Sequence, residues 1–437
     1  MMRALIKTVL VVFPLLILFS SVGTADVSSA NDLEERIKAL EVKASQNASL
    51  EQKVFSLQTE NELLKQRLAS LEAASDIKPS GEEKLKPEAV MLDKIGAKLK
   101  VKGRWGAGFF KSGQGGSFSQ GSFEVPEAKV QLGFEPDEHN TIIMRMNLNN
   151  AAFNNLDFFY VDSKDFLPPL EGTPFTLESR IGRFKMPLGE ETFSDNIVES
   201  ALVSNSASRV SGNDEGVQLS GKIGKERPLK WFFAVTNGNS GTGSDNLTPK
   251  SFSGKLAYNL WDPLYLSASI YNSGSLKTAA SEASSAGIPS SPTGATRWDR
   301  TLWEVDARYD FQKGKVIDPP AYTDSKAYVR GAFGQLYDDA DIVPDREANY
   351  GFVEALYNFT PTYYAAYRYS IVDFLHDHTD SLNSVSGASQ YDRHTIAAGY
   401  RWTDKTILKI AYDFNHAGRA IGDPSDDLLS VVLVSSF

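Results

Sequence analysis

The carboxyl-terminal residues 428–437 read LLSVVLVSSF, and this stretch gives the clearest indication of the fold. Leu429, Val431, Leu433 and Phe437 fall on one face of a β-strand, with the small Ser435 between them. A strand of a transmembrane β-barrel needs such an apolar face toward lipid. The same pattern also fits an edge strand of a soluble sheet, so the rest of the chain must decide between the two.

The amino-terminal end predicts export. Arg3 and Lys7 precede an apolar run over residues 8–19, and small residues follow at 23–25, so residues 1–25 are predicted to be a signal peptide. The run is too short to span a bilayer, which takes about 20 apolar residues. No other long apolar stretch follows, which excludes a helical membrane protein. The chain has no cysteine, which excludes disulfides, thiolate metal sites and covalent haem attachment.

A heptad pattern follows the predicted signal peptide. Apolar residues spaced four and three apart run from Leu33 to Leu71, so residues 26–75 are predicted to form an α-helical coiled coil. Asn61 occupies a core position, where a buried amide fixes the register. The alternative is a lone amphipathic helix, but the seam is long and nothing nearby would cover it. Residues 76–96 mix Lys, Glu and Pro and are predicted to be a linker.

Residues 97–437 break into about sixteen segments in which apolar and polar residues alternate. Residues 303–311, WEVDARYDF, show the pattern most plainly. A soluble β-sandwich would need an apolar core on one face of each sheet, whereas the wet faces here carry charge in nearly every segment. The predicted fold is therefore an all-β transmembrane antiparallel β-barrel of about sixteen strands, with an amino-terminal coiled coil.

The connections between these segments largely alternate in length, as they do in outer-membrane barrels. Two nominal turns, residues 163–174 and 312–323, are longer than this rule predicts. Short turns are predicted at residues 135–140, 225–228, 261–263, 360–362 and 403–405. Long polar loops are predicted at residues 187–214, 237–250, 273–299, 337–349, 373–390 and 416–426.

One block, residues 181–221, resembles a known family. GRFKMP at 182–187 and GVQLSG at 216–221 are similar to motifs of the phosphate-selective porin O and P family of outer-membrane porins. The resemblance covers about residues 97–437, and an amino-terminal coiled coil also occurs in that family. It implies a trimeric, sixteen-stranded, anion-selective porin with an inward-folded third loop, here residues 187–214. The segmentation independently places that loop between the fifth and sixth strands.

Charge placement bears on ion preference. The formal net charge of −10 alone would suggest cation preference. The wet strand faces, however, carry more basic than acidic residues, and basic groups lining a narrow pore attract anions. For any single residue, simple solvation of a water-filled wall is the alternative. The predicted anion pathway comprises Lys98, Lys100, Lys102, Arg104, Lys129, Arg145, Arg180, Arg183, Lys185, Arg209 and Lys222.

Phosphate selectivity is harder to derive from the third loop. Arg209 lies beside several serines, and arginine suits phosphate because its planar fork donates two hydrogen bonds. Arg183 and Lys185 share the phase of the apolar Ile181, so only a bulge or the inward fold of the loop would carry them into the pore. The loop also carries acids, which would weaken a phosphate site unless they face the wall as latches. These acids are Glu190, Glu191, Asp195 and Glu199.

Other functions are weakly supported by the sequence. His376, Asp377 and His378 are interpreted as part of an exposed loop, and no catalytic arrangement stands out, so we expect no enzyme and no cofactor. We also expect no nucleic-acid partner; the expected partners are outer-membrane lipid, permeating small anions and further copies of the chain. Two alternatives stay open: a barrel-anchored tether or spacer that attaches to the cell wall from the periplasm, and a sleeve around a partner cytochrome.

Overall fold

In a computed structural model, the structure describes residues 98–149, 156–165, 173–194, 196–238, 249–277, 291–292, 294–311, 325–375, 389–418 and 425–437. These residues form an antiparallel β-sheet. Its strands are β1 (Leu99–Ser112), β2 (Ser122–Phe134), β3 (Asn140–Asn147), β4 (Leu156–Lys164), β5 (Phe175–Lys185), β6 (Asn213–Ile223), β7 (Leu229–Thr236), β8 (Ser251–Trp261), β9 (Leu264–Asn272), β10 (Leu276–Lys277), β11 (Arg297–Asp310), β12 (Ala327–Ala340), β13 (Arg346–Asn358), β14 (Tyr363–Phe374), β15 (Gln390–Arg401), β16 (Thr406–Gly418) and β17 (Leu428–Ser436).

The sheet closes on itself. β1 pairs with β2 on one side and with β17 on the other. β9 pairs directly with β11, and the two-residue β10 pairs only with the end of β11. Within the described residues the barrel wall therefore has sixteen strands, as predicted.

The two faces of the wall differ in polarity because side chains alternate along each strand. On β11, Trp303 and Val305 are 40% and 48% exposed, whereas Glu304 and Asp306 are 5% and 2% exposed. An apolar outer face on a closed sheet with no free edge is the architecture that a bilayer requires of a β-protein. Among the described residues, no helix is long and apolar enough to cross a membrane.

The connections follow the predicted alternation with three exceptions. Two connections among the short turns are long, since β4 ends at Lys164 and β5 begins at Phe175, and β11 ends at Asp310 and β12 begins at Ala327. We call the end of the barrel where β1 begins the turn end and the opposite end the loop end. The prediction of a long loop at 337–349 was wrong, since β12 runs to Ala340 and β13 begins at Arg346. Asp338 lies fully buried between Arg300 Nε at 2.7 Å and Arg346 Nη2 at 2.6 Å. Ion pairing lets charged residues continue a strand where composition alone suggests a loop.

Three predicted segments lie outside the described residues. These are the signal peptide (1–25), the coiled coil (26–75) and the linker (76–96). The sequence around His376 also lies outside them.

The seam between β1 and β17 extends to the last residue. The amide of Gly103 donates to Phe437 O at 3.0 Å, and the amide of Phe437 donates to Gly103 O at 2.9 Å. A Cβ on Gly103 would lie 2.0 Å from Cζ of the Phe437 ring, so the absence of a side chain lets the ring lie over β1.

Gly103→Ala is expected to displace the Phe437 ring from β1 and to lower the free energy of unfolding by at most about 1 kcal/mol, because the ring is 61% exposed and moves aside more easily than a core side chain. The measurement is the urea midpoint in detergent, followed by tryptophan fluorescence. Gly133→Ala on β2 is the control, because its Cβ would come no closer than 3.5 Å to a neighbouring atom. Equal midpoints for the two variants would contradict the assigned role of the ring.

Candidate functional site: a pore narrowed by loop 3

Loop 3, which we define as residues 186–212 between β5 and β6, packs against the inner face of the barrel over its described part. Met186 and Leu188 are 0% and 1% exposed, and Val210 at the far end of the loop is 2% exposed. Burial of this apolar surface favours the inward fold. The wall residues of the same apolar cluster are Tyr271, Leu302, Leu336, Ala348, Tyr350, Val372, Phe374, Tyr391 and Ala417.

A first polar anchor ties the start of loop 3 to β8, β9 and β11. Lys255 donates from Nζ to Gly189 O at 2.6 Å and forms an ion pair with Glu190 Oε1 at 2.7 Å. Tyr265 donates its hydroxyl to the same Glu190 oxygen at 2.5 Å. The amide of Glu190 donates to Asp306 Oδ1 at 3.0 Å. Both the backbone and the carboxylate at the start of the loop are therefore fixed to the wall.

A second anchor joins the two arms of loop 3 to each other and to the wall. Arg368 of β14 donates from Nη1 to Glu191 Oε1 at 2.9 Å, and the amide of Ser206 donates to the same oxygen at 2.8 Å. Arg330 of β12 donates from Nη1 to Ser194 Oγ at 2.7 Å. Glu191 thus links the outgoing and returning arms of the loop through a buried ion pair.

The middle of loop 3 lies against β14 and β16. Lys409 donates from Nζ to the carbonyl oxygens of Ile197 and Ser200. Tyr364 donates its hydroxyl to Ala201 O at 3.0 Å. Because these donors hold carbonyl groups of the backbone, they fix the path of the loop regardless of its side chains.

Apolar contacts also hold the middle of loop 3 against the wall. Val198, Leu202 and Val203 pack in one cluster with Val432 and Val434 of β17, which are both 0% exposed. The expectation of a wet inner face therefore fails on β17. Loop 3 covers that part of the wall and supplies it with an apolar partner.

The acids of the loop divide into two groups. Glu190 and Glu191 are buried and serve as the anchors described above. Glu199 is exposed. Asp195 lies outside the described residues. Two of the four loop acids therefore face the wall as latches and do not weaken anion binding in the pore.

A cavity of about 260 Å³ is left between loop 3 and the first strands of the barrel. The polar contacts of loop 3 described above fall on β8 to β16, whereas the inner face of β1–β6, which we call the open wall, carries most of the predicted pathway. The cavity is lined by Lys102, Gly103, Arg104, Lys129, Gln131 and Arg145 from the wall, by Val198 and Glu199 from the loop, and by Ser436 and Phe437.

Cations and carboxylates alternate across the open wall at the cavity. Arg104 Nε lies 2.5 Å from Glu127 Oε1, and Lys129 Nζ lies 3.1 Å from Asp157 Oδ2. Arg145 also donates to Asp157, from Nε to Oδ2 at 2.8 Å. Each of these cations is thus held in place by a carboxylate that also belongs to the wall.

A β-bulge turns Asp157 into the lumen. Across β3 and β4, Arg145 pairs with Phe158 and Met146 pairs with Leu156, which leaves Asp157 as the extra residue. The Arg145 guanidinium carbon also lies 3.6 Å from the centre of the Phe158 ring. The bulge therefore supplies the carboxylate and the stacking surface that together position Arg145.

Lys98, just before β1, and Lys100 of β1 lie between the turn end and the cavity, which Lys102 lines. Lys98 donates to Pro136 O, and Lys100 pairs with Glu135 at 2.5 Å. The hydrogen bond from Lys100 lowers the pKa of the exposed Glu135 carboxyl. Among the described residues, no acid lies within ion-pair distance of Lys102. Lys102 is therefore the lysine of this series that offers its charge to the cavity directly.

Two further residues of the predicted anion pathway lie on the open wall away from the cavity. Arg180 forms a two-point ion pair with Asp162, at 2.6 Å from Nε and 2.9 Å from Nη2, and its guanidinium lies 4.1 Å from the Tyr160 ring centre. Lys222 pairs across the ladder with Lys230 near the turn end. Both are on the inner face, outside the cavity.

The remaining pathway residues lie elsewhere. Arg183 stays in the outward phase of Ile181, with no register shift across β4, β5 and β6, and pairs with Glu215 at 2.9 Å. Lys185 donates to Thr192 O at 2.6 Å, so it braces loop 3. Arg209 is partly buried within loop 3. The structure therefore does not bring these three side chains together with the cavity lysines.

No family model and no curated protein matches the chain. Solved structures do. The barrel is similar to OmpT, an outer membrane protein of Vibrio cholerae, in its trimer form, with a TM-score of 0.51 and 10% identity over 78% of this chain and 99% of that one. It is also similar to the outer membrane channel DcaP of Acinetobacter baumannii, with a TM-score of 0.51 and 12% identity over 78% of this chain and 97% of that one. At these identities the shared feature is the barrel fold. The resemblance to the phosphate-selective family rests on the sequence motif.

Among the described residues, no group of His, Asp and Glu side chains is arranged to hold a metal ion. The sequence analysis missed Asp157 and Asp162 as acids of the inner face. The apolar run between them, residues 158–161, hides the alternation, and the bulge shifts the phase. The regular alternation in the other strands gives no indication that a bulge shifts the phase of β4.

Proposed function

We propose that the chain is an outer-membrane porin through which small anions diffuse passively. The observation that carries the proposal is the cavity between loop 3 and the open wall, where Lys102, Arg104, Lys129 and Arg145 meet. A basic-lined cavity beside a loop that is anchored to the wall suits diffusion of small solutes. The shared barrel fold of DcaP, described as an outer membrane channel, supports the same reading.

The preference for anions follows from the balance at the cavity. Glu127, Asp157 and Glu199 of loop 3 offset part of the basic set, but Lys102 has no acid within ion-pair distance in the described part of the chain. Field lines concentrate in a narrow aqueous path through a low-dielectric wall, so a small excess of positive charge is enough to attract anions. The acidic net charge of the whole chain has less influence, because buried acids such as Glu190 are already paired.

Phosphate is the finer part of the proposal. The family resemblance implies phosphate, and guanidinium groups suit it. Arg104 and Arg145 nevertheless already donate to Glu127 and Asp157. A phosphate would have to displace these carboxylates to gain the same hydrogen bonds. We therefore propose that phosphate crosses as one anion among several, without a tightly binding site.

The location and assembly belong to the same proposal. We place the barrel in the bacterial outer membrane and the coiled coil in the periplasm, on the basis of the apolar outer face and the predicted signal peptide. A trimer is implied by the family resemblance, and heptads in residues 26–75 would add to self-association. The tether remains compatible with this barrel. The sleeve is less so, since loop 3 packs inside the barrel and occupies part of the lumen that a cytochrome would need.

The reversal potential in a planar bilayer under a potassium chloride gradient tests this proposal. We expect anion preference, with added phosphate reducing the chloride current only at concentrations comparable to chloride. Block by low phosphate would instead favour a dedicated phosphate site. Cation preference would contradict the assigned role of the open wall, and absence of conductance would favour the tether.

A further inference from the structure

Phe193 of loop 3 is an exposed aromatic side chain inside the barrel. It is 37% exposed, although the preceding Thr192 is almost fully buried. The other large apolar side chains of comparable exposure in the described part of the chain lie on the outer face of the barrel or at or beyond the ends of its strands. A phenylalanine in contact with water adds little to the stability of loop 3, so packing does not account for its position.

The backbone around Phe193 is fixed on both sides. Lys185 of β5 donates from Nζ to Thr192 O at 2.6 Å. Arg330 of β12 donates from Nη1 to Ser194 Oγ at 2.7 Å. Both neighbours of Phe193 in the chain are therefore tied to the barrel wall, and the ring projects from a segment that is already held in place.

The side chain of Lys255 connects Phe193 to a second aromatic residue, Phe232. Lys255 Nζ lies 4.5 Å from the centre of the Phe193 ring. Phe232 of β7 pairs directly with Lys255 of β8, and such cross-strand neighbours lie about 5 Å apart at Cβ. Phe232 is partly exposed and shares the inward phase of the fully buried Ala234. Both rings therefore lie next to the same lysine side chain, and neither lines the cavity described above.

The charge of Lys255 is already paired. Its ammonium group forms an ion pair with Glu190 at 2.7 Å and donates to Gly189 O at 2.6 Å. A solute at the two rings would therefore gain contacts with aromatic faces and edges, without gaining an ion pair. Such a site distinguishes solutes by whether they carry a ring, and depends little on their charge.

We propose that Phe193 and Phe232 form a stacking site for solutes that carry an aromatic ring. The inference rests on the proposed porin function and names a class of solute. Aromatic rings attract one another in offset or edge-to-face arrangements, because the faces carry partial negative charge and the edges partial positive charge. An aliphatic side chain of similar size gains only apolar contact. An aromatic solute should therefore stay longer at this point of the lumen than an aliphatic solute of equal charge.

The test compares L-phenylalanine with L-leucine, which are both zwitterions at neutral pH and meet the charged cavity alike. The potassium chloride current of the full chain in a planar bilayer is recorded as each amino acid is added. We expect phenylalanine to halve the current at a lower concentration than leucine does. Phe193→Leu is expected to raise the half-blocking concentration of phenylalanine about threefold, near the lower end of the effect of one aromatic pair.

Three further variants serve as controls. Phe233→Leu is the matched control, because Phe233 is the next residue of β7, is 47% exposed and lies on the outer face. It should leave both half-blocking concentrations unchanged. Phe193→Tyr keeps the ring and should preserve the block. Phe232→Leu should weaken the block as Phe193→Leu does, which tests the site through a second residue.

The outcomes separate this inference from the proposed function. A wild type that responds equally to the two amino acids would overturn the aromatic site and leave the porin function standing. An equal shift for Phe193→Leu and Phe233→Leu would do the same, as would an unchanged block in both Phe193→Leu and Phe232→Leu. A wild type that conducts no current would overturn the porin function, and the inference with it.

Discussion

Replacing Arg368 by methionine is expected to release loop 3 from the wall and destabilise the barrel by about 3 kcal/mol, the lower end of the range for breaking a buried ion pair. Arg368 is 1% exposed and holds both Glu191 and, at 3.4 Å, Glu354. Its loss leaves Glu191 buried without its cation, which costs more than the ion pair itself contributes. The measurement is the urea midpoint of the detergent-solubilised protein.

The same variant is expected to change conduction. Because Glu191 ties the two arms of loop 3 together, its release should widen the constriction, raise single-channel conductance and add current noise. Arg227→Met is the control, since Arg227 pairs with Asp262 in an exposed turn, where a pair contributes at most about 1 kcal/mol. Equal midpoints for Arg368→Met and Arg227→Met, with unchanged conductance, would mean that the anchor does not hold the loop.

Reversing the charge of the cavity wall is expected to invert ion preference. Lys102→Glu combined with Gln131→Glu adds negative charge at two residues that pair across β1 and β2 and both line the cavity. Neither is a partner in the ion pairs of the neighbouring residues, so the barrel should still form, with a cost below about 1 kcal/mol from the two carboxylates that face each other across the strands. The reversal potential under a potassium chloride gradient is expected to change sign, from anion to cation preference.

Two controls sharpen the charge reversal. Gln131→Lys should move the reversal potential in the opposite direction, toward stronger anion preference. The difference between variants should also shrink between about 0.1 M and 1 M salt, as the screening length falls from about 10 Å to about 3 Å. A reversal potential that stays the same in all variants would place the selectivity filter outside this cavity.

The barrel itself was predictable from local pattern. Successive side chains of a strand point to opposite faces, so polarity alternates along it. The face on which Trp303 or Phe437 lies can therefore be inferred from its sequence neighbours alone. The position of loop 3 between β5 and β6 followed from counting those alternations. Each alternation is visible within one short segment, and the position of the loop needs only a count of such segments.

The candidate site was less predictable, because it depends on which part of the wall loop 3 covers. Lys102 and Lys409 both lie on the inner faces of strands, yet the first lines the cavity and the second is buried under the loop. Nothing in the neighbouring sequence separates them. The pairing of Asp338 with Arg300 and Arg346 was hidden for a similar reason, since its partners lie on other parts of the chain.

Loop 3 also constrains the order in which this barrel can fold. Ile197 reaches the inner face of β1, where a Cβ on Gly106 would lie 2.6 Å from its Cδ1, while Val198 packs with Val432 and Val434 of β17. The loop therefore lies across both sides of the seam that joins the first strand to the last. That seam closes the longest stretch of chain and bears the highest loop-closure entropy. We expect the nascent wall to form by neighbouring hairpins, to wrap around the docked loop, and to join β1 to β17 last.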